Sequence, residues 1–313
     1  WCDFVERDFL EQGFRKLLDQ KLILGATSNP AIFQKAFGRP AYAEQKATLP
    51  GESPKAIYEA LAIADIRRAA ELMDPLYAAN PQNGFISIEV DPHLCDDAQG
   101  TIKEGRRLFQ AIGKPNVMIK VPATPAGFEA MQALMSDNIP VNATLIFSRA
   151  QLQGCLETMG KASAQPQAVL SVFVSRFDRK CDSRLQELGL PAGKLGINNA
   201  QAMYHQVQQQ GLPNVRILFA STGVKGDTYP PSYYVDELLF EHCINTAPLE
   251  TIEAYEAQSE KVVIQPLPLS ELEGFFATLK QHGVDVDAVA DELMTEGVEA
   301  FKQAFDQIME SLS

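Results

Sequence analysis

The sequence predicts an α/β protein, a (β/α)8 barrel with additional C-terminal helices, as one domain over residues 1–313. Three observations support this fold class. Eight short apolar runs alternate with helical patterns, which indicates right-handed strand–helix units and a parallel sheet. No G-x-G-x-x-G follows any run, which favours a closed barrel over an open dinucleotide-binding sheet. A length of 313 residues is within the range of one such barrel.

The predicted strands are short and mostly apolar, and each is followed by a turn or a helix. They cover residues 1–4, 22–25, 85–90, 117–121, 139–146, 169–174, 215–219 and 244–248. The clearest helix start is Ser53-Pro54, an N-cap followed by proline at the first helical position, and that helix extends to about residue 79. The other predicted helices cover 99–112, 127–135, 149–161, 194–210 and 234–240, with two shorter ones around Phe14 and Phe33.

The chain from residue 267 onward has a helical pattern and no obvious chemistry, and we expect it to pack on the barrel. Residues 38–53, with two prolines and two glycines, predict a loop with some helix.

Composition excludes several classes of function. A net charge of −13 argues against general affinity for nucleic acid or anionic membranes. The five cysteines are scattered without a C-x-x-C pair, which is typical of free thiols in a reducing compartment and predicts a cytoplasmic protein. The four histidines have no metal-ligand spacing, so no metal is expected. No apolar run reaches transmembrane length.

Lys120 is the most informative single residue, because it lies in the apolar strand 117–121, which ends at Pro122. Side chains alternate along a strand, so Met118 and Lys120 share one face. An amine on an apolar strand loses hydration, which favours its neutral, nucleophilic form. A lysine that only extends into water is the ordinary alternative.

Polar side chains recur in the same phase near the carboxyl ends of the other strands, where barrels place their active sites. These residues are Asp3, Thr27, Asn29, Ser87, Glu89, Asp91, Asn142, Thr144, Ser171, Arg176, Ser221, Thr222 and Lys225, with Phe173 on the Ser171 face and Phe219 on the Ser221 face. A solvated face of an antiparallel sheet is the alternative explanation, but the intervening helices argue against it.

This combination suits a phosphorylated sugar. A lysine can form a Schiff base with a ketone, and the protonated imine accepts the electrons of a neighbouring C–C bond as it breaks. One carboxylate moves the hydroxyl proton and another holds water for imine formation and hydrolysis. Arg176 can bind a phosphate in bidentate fashion, and Lys225 can add a further charge.

Six successive motifs together resemble the signatures of the transaldolase family, in its longer bacterial form. They are TSNP at 27–30, SIEVD at 87–91, IKVPAT at 119–124, VNATL at 141–145, SVFVSR at 171–176 and AST at 220–222. The helical tail, with GVDVD at 283–287 and EGV at 296–298, is also similar to that family.

The resemblance implies a Schiff-base aldolase of TIM-barrel fold in the non-oxidative pentose phosphate pathway. It would move a dihydroxyacetone unit from sedoheptulose 7-phosphate to glyceraldehyde 3-phosphate, giving erythrose 4-phosphate and fructose 6-phosphate. It implies no metal or organic cofactor and phosphorylated sugars as binding partners. It also allows a homodimer, although no residue decides this.

The resemblance also assigns roles position by position. Lys120 matches the Schiff-base lysine, Asp3 the general acid/base, and Glu89 with Thr144 the pair that positions the catalytic water. The contacts to the dihydroxyacetone unit match Asn29, Asn142 and Ser171, whereas Arg176 and Ser221 match phosphate ligands. Many members carry an arginine where Gly223 stands, so we predict that Lys225 supplies that charge.

Two alternatives remain open. A fructose 6-phosphate aldolase shares the barrel and the lysine but releases free dihydroxyacetone. Such enzymes are shorter, with glutamine at the position of Glu89 and tyrosine at that of Phe173. A phenyl ring cannot hold the water that would quench the enamine, so Phe173 favours transfer. The second alternative is a barrel without catalysis that binds phosphosugars, which would be marked by loss of Lys120, Asp3 or Glu89, and all three are present.

Overall fold

The computed structural model describes all residues 1–313, and at its centre is a parallel sheet of seven strands in sequential order. The strands are β1 (Gly25–Ala26), β2 (Phe85–Glu89), β3 (Val117–Pro122), β4 (Val141–Ile146), β5 (Ala168–Phe173), β6 (Val215–Ala220) and β7 (Cys243–Asn245). Every neighbouring pair is parallel. Parallel strands in sequential order require a helical crossover after each strand, as the sequence predicts.

The first residues of the chain close this sheet into a barrel. Cys2 forms parallel bridges with both Ala26 and Ala247. The Cys2 N–H donates to Gly25 O at 3.0 Å on one side, and the Asp3 N–H donates to Ala247 O at 2.8 Å on the other. The predicted strand at residues 1–4 therefore lies between β1 and the chain after β7, which confirms the (β/α)8 fold class.

Helices cover the outside of the barrel and its carboxyl-terminal end. They are α1 (Arg7–Phe9), α2 (Arg15–Asp19), α3 (Pro30–Ala36), α4 (Ala43–Ala47), α5 (Pro54–Ala79), α6 (Ala98–Ile112), α7 (Pro125–Ser136), α8 (Arg149–Gly160), α9 (Ser175–Glu187), α10 (Leu195–Gln210), α11 (Tyr233–Asp236), α12 (Leu249–Glu256), α13 (Leu269–Gln281) and α14 (Val286–Ser311). A π-helical turn (Leu10–Phe14) joins α1 to α2, and 3-10 turns cover Pro40–Tyr42 and Pro92–Leu94. None of these helices is both long and apolar enough to cross a membrane.

Two of these helices, α9 and α12, were not predicted. In α9 the sequence SRFDRKCDSRLQE is mostly charged or polar, and its buried apolar residues are limited to Phe177, Cys181 and Leu185. Their spacing of four places them on a narrow stripe, which is enough to seat a helix but gives a weak signal in the sequence. Arg176, which the sequence places just beyond the strand, therefore belongs to the first turn of α9.

The strands separate two layers of core, and the alternation of side chains decides which layer each residue enters. In β3, Val117, Ile119 and Val121 join the large outer core, whereas Met118 belongs to the inner cluster within the barrel. This confirms the predicted face of Lys120. The predicted face of Ser221 was wrong, because Phe219 packs in the outer core. Ser221 has φ of +55°, and this left-handed residue changes the phase after β6.

The tail consists of α13 and α14, and α14 packs across α3, α5, α9 and β4. The buried apolar side chains of the tail include Leu279, Leu293, Phe301, Phe305 and Ile308. The prediction that the tail packs on the barrel is confirmed. Its position over the carboxyl ends of the strands is the feature that most affects the site.

Candidate active site

A cavity of about 210 Å³ opens at the carboxyl ends of the strands. Its lining is Asp3, Thr27, Asn29, Ala31, Lys120, Thr144, Ser171, Phe173, Arg176, Ala220, Ser221, Thr246 and Phe301. A second cavity of about 200 Å³, beside Trp1 and Phe240, is mostly apolar and has no charged side chain in its lining. A buried amine together with acidic and cationic side chains, at the carboxyl ends of the strands where barrels place their active sites, distinguishes the first cavity as the candidate active site.

The Lys120 amine is deeply buried, with only 5% of the residue exposed. Its Nζ donates a hydrogen bond to Ser28 O at 3.0 Å and lies 3.3 Å from Glu89 Oε2. Because Glu89 and Lys120 are register partners in β2 and β3, the sheet itself sets this distance. A buried amine beside a carboxylate can exchange a proton with it without reaching bulk water.

Glu89 is the carboxylate nearest to the lysine. Burial raises its pKa, and the positive charge of Lys120 opposes the rise. Its Oε2 makes no hydrogen bond of good geometry, and neither does the buried hydroxyl of Thr144 in the lining of the cavity. The Thr144 hydroxyl is therefore free to bind a polar group in the cavity, whereas Glu89 lies next to Lys120 without lining the cavity itself.

Asp3 approaches the cavity from the segment that closes the barrel. Its Oδ1 accepts a hydrogen bond from the Thr27 hydroxyl at 2.7 Å, and that hydroxyl is 2.7 Å from Thr246 Oγ1. Since the Thr27 proton is given to Asp3, Thr246 must donate to Thr27. Burial raises the pKa of Asp3, whereas the charge of Lys120 and the Thr27 hydrogen bond oppose the rise.

A chain of hydrogen bonds crosses the barrel beneath the cavity. The Ser171 hydroxyl donates to Asn142 Oδ1 at 2.7 Å, and Asn142 Nδ2 donates to Ser87 Oγ at 2.9 Å. This chain fixes the orientation of the Asn142 amide beside Lys120, its register partner on β3. On the opposite wall, Asn29 caps α3 by accepting from the Ile32 N–H at 3.1 Å.

Arg176 is the cation of the cavity and forms no ion pair with any acidic residue. Its guanidinium lies 5.1 Å from the centre of the Phe173 ring and 6.0 Å from that of Phe147. Burial lowers the pKa of Arg176, with a smaller effect of the neighbouring Arg179 charge, but a guanidinium remains protonated at neutral pH. The guanidinium thus lies beside two aromatic rings and has no acidic partner, so it can bind an anion in the cavity.

Two hydroxyl groups lie beside this cation. Ser221 Oγ is 3.0 Å from Ser175 Oγ, and the Ser175 N–H donates to Ser221 O at 3.0 Å. Ser175 is also the first residue of α9, where backbone N–H groups point out of the helix. Arg176, Ser221 and the start of α9 thus provide positive charge and hydrogen-bond donors in one place.

The structure does not bring every predicted residue to the cavity. Asp91, which we expected beside Glu89, points outward, where its carboxylate pairs with Lys55 at 2.7 Å. The alternation ends with β2 at Glu89, and Asp91 instead caps the turn Pro92–Leu94. Lys225 is exposed in the loop after Ser221 and does not line the cavity.

Among the polar and aromatic lining residues, two were missed from the sequence. Thr246 lies in the predicted last strand, and the polar phase used for the other strands could have indicated it. Phe301 comes from α14, more than 100 residues from most of the other lining residues, and no periodicity connects it to them. The tail, which showed no obvious chemistry in the sequence, therefore contributes one side chain to the lining of the cavity.

Comparison with known proteins gives a consistent result. A family model described as Transaldolase/Fructose-6-phosphate aldolase matches residues 1–312. A protein named Transaldolase from Helicobacter pylori (strain P12) is 45% identical over 312 residues, which cover 99% of this chain and 98% of that relative. A second one, from Campylobacter jejuni subsp. doylei, is 43% identical over 330 residues, which cover 100% of this chain and 98% of that relative.

Proposed function

We propose that this chain, which belongs to the transaldolase/fructose-6-phosphate aldolase family, is a transaldolase that acts through a Schiff base on Lys120. The donor is sedoheptulose 7-phosphate, the acceptor is glyceraldehyde 3-phosphate, and the products are erythrose 4-phosphate and fructose 6-phosphate. One observation carries the proposal. The buried Lys120 amine lines the same cavity as Asp3 and Arg176, and it lies 3.3 Å from the Glu89 carboxylate.

The first step joins the donor to the lysine. The neutral Lys120 amine attacks the ketone carbon, and the oxygen leaves as water after two proton transfers. Glu89 is the nearest group that can carry these protons. Burial raises its pKa, which makes the carboxylate a better proton acceptor. Thr144, whose hydroxyl makes no other hydrogen bond, can hold the water together with Glu89.

The second step breaks the bond between the third and fourth carbons of the donor. Asp3 accepts the proton of the C4 hydroxyl, the aldehyde forms, and the bonding electrons move into the protonated imine to give an enamine on Lys120. The hydrogen bond from Thr27 orients the Asp3 carboxylate for this transfer. In reverse, the enamine attacks the acceptor aldehyde and Asp3 returns the proton. Water then hydrolyses the imine and releases fructose 6-phosphate.

We also propose how the sugar is held. Arg176 and Ser221, at the start of α9, bind the phosphate, and Lys225 adds charge from its exposed loop. The other contacts go to the dihydroxyacetone unit, from Asn29, Asn142 and Ser171. Each of these three also has a hydrogen bond within the protein, which keeps its side chain in a fixed orientation. Phosphate binding then positions the reacting carbons over Lys120.

Fructose 6-phosphate aldolase activity is the second candidate, because the family includes both reactions and the lysine serves both. Phe173 is the observation that favours transfer. Its phenyl ring lines the cavity and contacts the Arg176 guanidinium, so it offers no hydroxyl to a water near the enamine. Fewer ordered waters beside the enamine mean less protonation and a longer time for an acceptor to arrive.

The test compares the two reactions directly. Fructose 6-phosphate is supplied with and without erythrose 4-phosphate, and both free dihydroxyacetone and transfer product are measured. The proposal requires transfer to be much faster than release of dihydroxyacetone. Equal rates would establish the aldolase. In parallel, borohydride with fructose 6-phosphate should leave a covalent adduct on Lys120, and an adduct on another lysine would contradict the assignment.

Three further points belong to the proposal. Residues 1–313 form one domain, since α14 packs on β4 as well as on α3, α5 and α9. The reaction uses no metal or organic cofactor, because the amine and two carboxylates supply the nucleophile and the proton transfers. The location is cytoplasmic, which the five free cysteines favour.

A further inference from the structure

Phe301 brings an aromatic ring from the C-terminal helix to the reacting lysine. The centre of the Phe301 ring is 5.7 Å from Lys120 Nζ, which is within the range of a cation–π contact. The residue is 7% exposed and belongs to the inner core cluster with Leu145 and Phe173. Phe301 therefore forms part of the wall of the cavity next to the amine.

The helix that carries Phe301 is held firmly in this position. One turn earlier, Gly297 lies so close to the barrel that an added Cβ would be 2.9 Å from Leu145 Cδ2 and 3.2 Å from Arg176 Nη1. One turn later, Phe305 packs against Tyr58, with ring centres 5.2 Å apart. Contacts on both sides of Phe301 thus fix α14 across the mouth of the barrel, and its ring cannot move away without a shift of the helix.

We propose that Phe301 is a positioning residue that shields the enamine on Lys120 from water and so directs it toward the aldehyde acceptor. This inference rests on the proposed transaldolase function. The enamine carbon has two fates. It can attack the aldehyde carbon of a sugar phosphate, which forms the new C–C bond, or it can take a proton from water.

The second fate leads to hydrolysis. Protonation of the enamine carbon regenerates the imine, and water then releases dihydroxyacetone and restores the Lys120 amine. The net reaction converts fructose 6-phosphate to dihydroxyacetone and glyceraldehyde 3-phosphate. A phenyl ring beside the nitrogen lowers the access of water to this centre, and its π face also stabilises the positive imine.

Phe301 and Phe173 make this shield together, although they come from different parts of the chain. Phe173 is the last residue of β5 and Phe301 lies in the middle of α14. Both line the same cavity with Lys120. Phe173 was expected to favour transfer because its ring has no hydroxyl to hold a water near the enamine. The Phe301 ring also has no hydroxyl, so the same reason applies to it.

The test measures how the enamine partitions. For each variant, the rate of dihydroxyacetone release from fructose 6-phosphate alone is divided by the rate of transfer to erythrose 4-phosphate. Phe301→Ala should raise this ratio by on the order of tenfold, because the ring no longer keeps water from the enamine. Phe301→Leu, which keeps an apolar cover but loses the π face, should raise it by about two- to fivefold. The ratio does not depend on how much of the enzyme is folded.

Phe109→Leu is the matched control, since it makes the same substitution in α6, where the ring lies with Phe85 and Pro140 and does not line the active-site cavity. Its ratio should equal that of the parent protein. An unchanged ratio in both Phe301 variants, with a borohydride adduct still formed on Lys120, would overturn the inference but leave the transaldolase proposal intact. If Phe301→Ala does not fold, the comparison of Phe301→Leu with Phe109→Leu decides alone. Absence of any adduct on Lys120 in the parent protein would overturn both.

Discussion

Glu89 and Lys120 are register partners on neighbouring parallel strands, and 3.3 Å separates Glu89 Oε2 from Lys120 Nζ. The distance follows from the geometry of the sheet, in which partner residues on one face present their side chains to each other. The side chains of both residues are buried. The pair is therefore the most informative place to test the proposed mechanism.

Glu89→Gln should slow both formation and hydrolysis of the Schiff base, because glutamine keeps the shape of the side chain but cannot carry a proton. We expect a loss in turnover of roughly 10²-fold, the lower part of the range for general acid–base catalysis. Single-turnover mixing with fructose 6-phosphate, followed by a borohydride quench at intervals, measures the rate of adduct formation. Adduct formation as fast as in the parent protein would exclude Glu89 from this step.

Asp3→Ala should separate Schiff-base formation from cleavage of the carbon–carbon bond. The adduct on Lys120 should still form, since Asp3 acts only on the C4 hydroxyl, whereas transfer should slow by on the order of 10²–10⁴. Thr27→Val offers a milder comparison, because it removes the 2.7 Å hydrogen bond to Asp3 without removing the carboxylate. If Asp3→Ala also abolishes the adduct, Asp3 acts earlier than proposed.

Arg176 and Lys225 should differ in their contributions to phosphate binding. Arg176→Ala should raise the KM for fructose 6-phosphate by roughly 10- to 100-fold, because a charged hydrogen bond in a partly buried site contributes about 1.5–3 kcal/mol. Lys225→Ala should raise it less than about fivefold, since Lys225 is exposed and solvent screens its charge. Competition by inorganic phosphate, measured for both variants, provides the check. A larger effect at Lys225 would show that its loop closes over the substrate.

Gly297→Ala and Gly274→Ala form a matched pair in α14 and α13. An added Cβ at Gly297 would be 2.9 Å from Leu145 Cδ2, so either the Leu145 side chain or the helix must shift, whereas at Gly274 there is nothing within 4 Å. We expect Gly297→Ala to destabilise the fold by about 1–3 kcal/mol and Gly274→Ala to stabilise it by about 0.5–1 kcal/mol. Urea unfolding of both variants measures the difference, and equal effects would contradict the close seating of α14.

Asp178 should make stability depend on pH. Burial raises its pKa from 3.8 to about 6, while the hydrogen bond from the Gly196 N–H opposes the rise. The folded state therefore binds this proton more tightly than the unfolded state, so the side chain lowers stability as pH rises from about 4 to about 6. Above pH 6 the effect is complete, and below pH 3.8 it is absent.

Asp178→Asn removes that titration, so the difference in free energy of unfolding between the variant and the parent should change in the variant's favour as pH rises through this window. Across the whole window, the total change in this free-energy difference should be at most about 3 kcal/mol. Thermal or urea unfolding between pH 4 and pH 7 provides the measurement. Asp227→Asn, at an exposed position of the 221–232 loop, is the control. A difference that does not vary with pH would mean that Asp178 is not protonated on folding.

The sequence alone determined the strand order and the inward face of Lys120 on β3. The alternation of Met118 and Lys120 against Val117 and Ile119 is a local property of one strand, and the structure confirms it. The start of α5 at Ser53-Pro54 is likewise local, because a cap and a proline act within one turn. Local patterns of this kind can be read without knowledge of distant contacts.

Only the tertiary structure decided which residues beyond the strands meet at the amine. The left-handed conformation of Ser221 returns it to the cavity against the phase of β6, and the ion pair with Lys55 keeps Asp91 outside. Phe301 reaches Lys120 because α14 crosses the mouth of the barrel. These outcomes depend on contacts between segments far apart in the chain, and the periodicity of a helix shows that it has an apolar face but not what that face will cover.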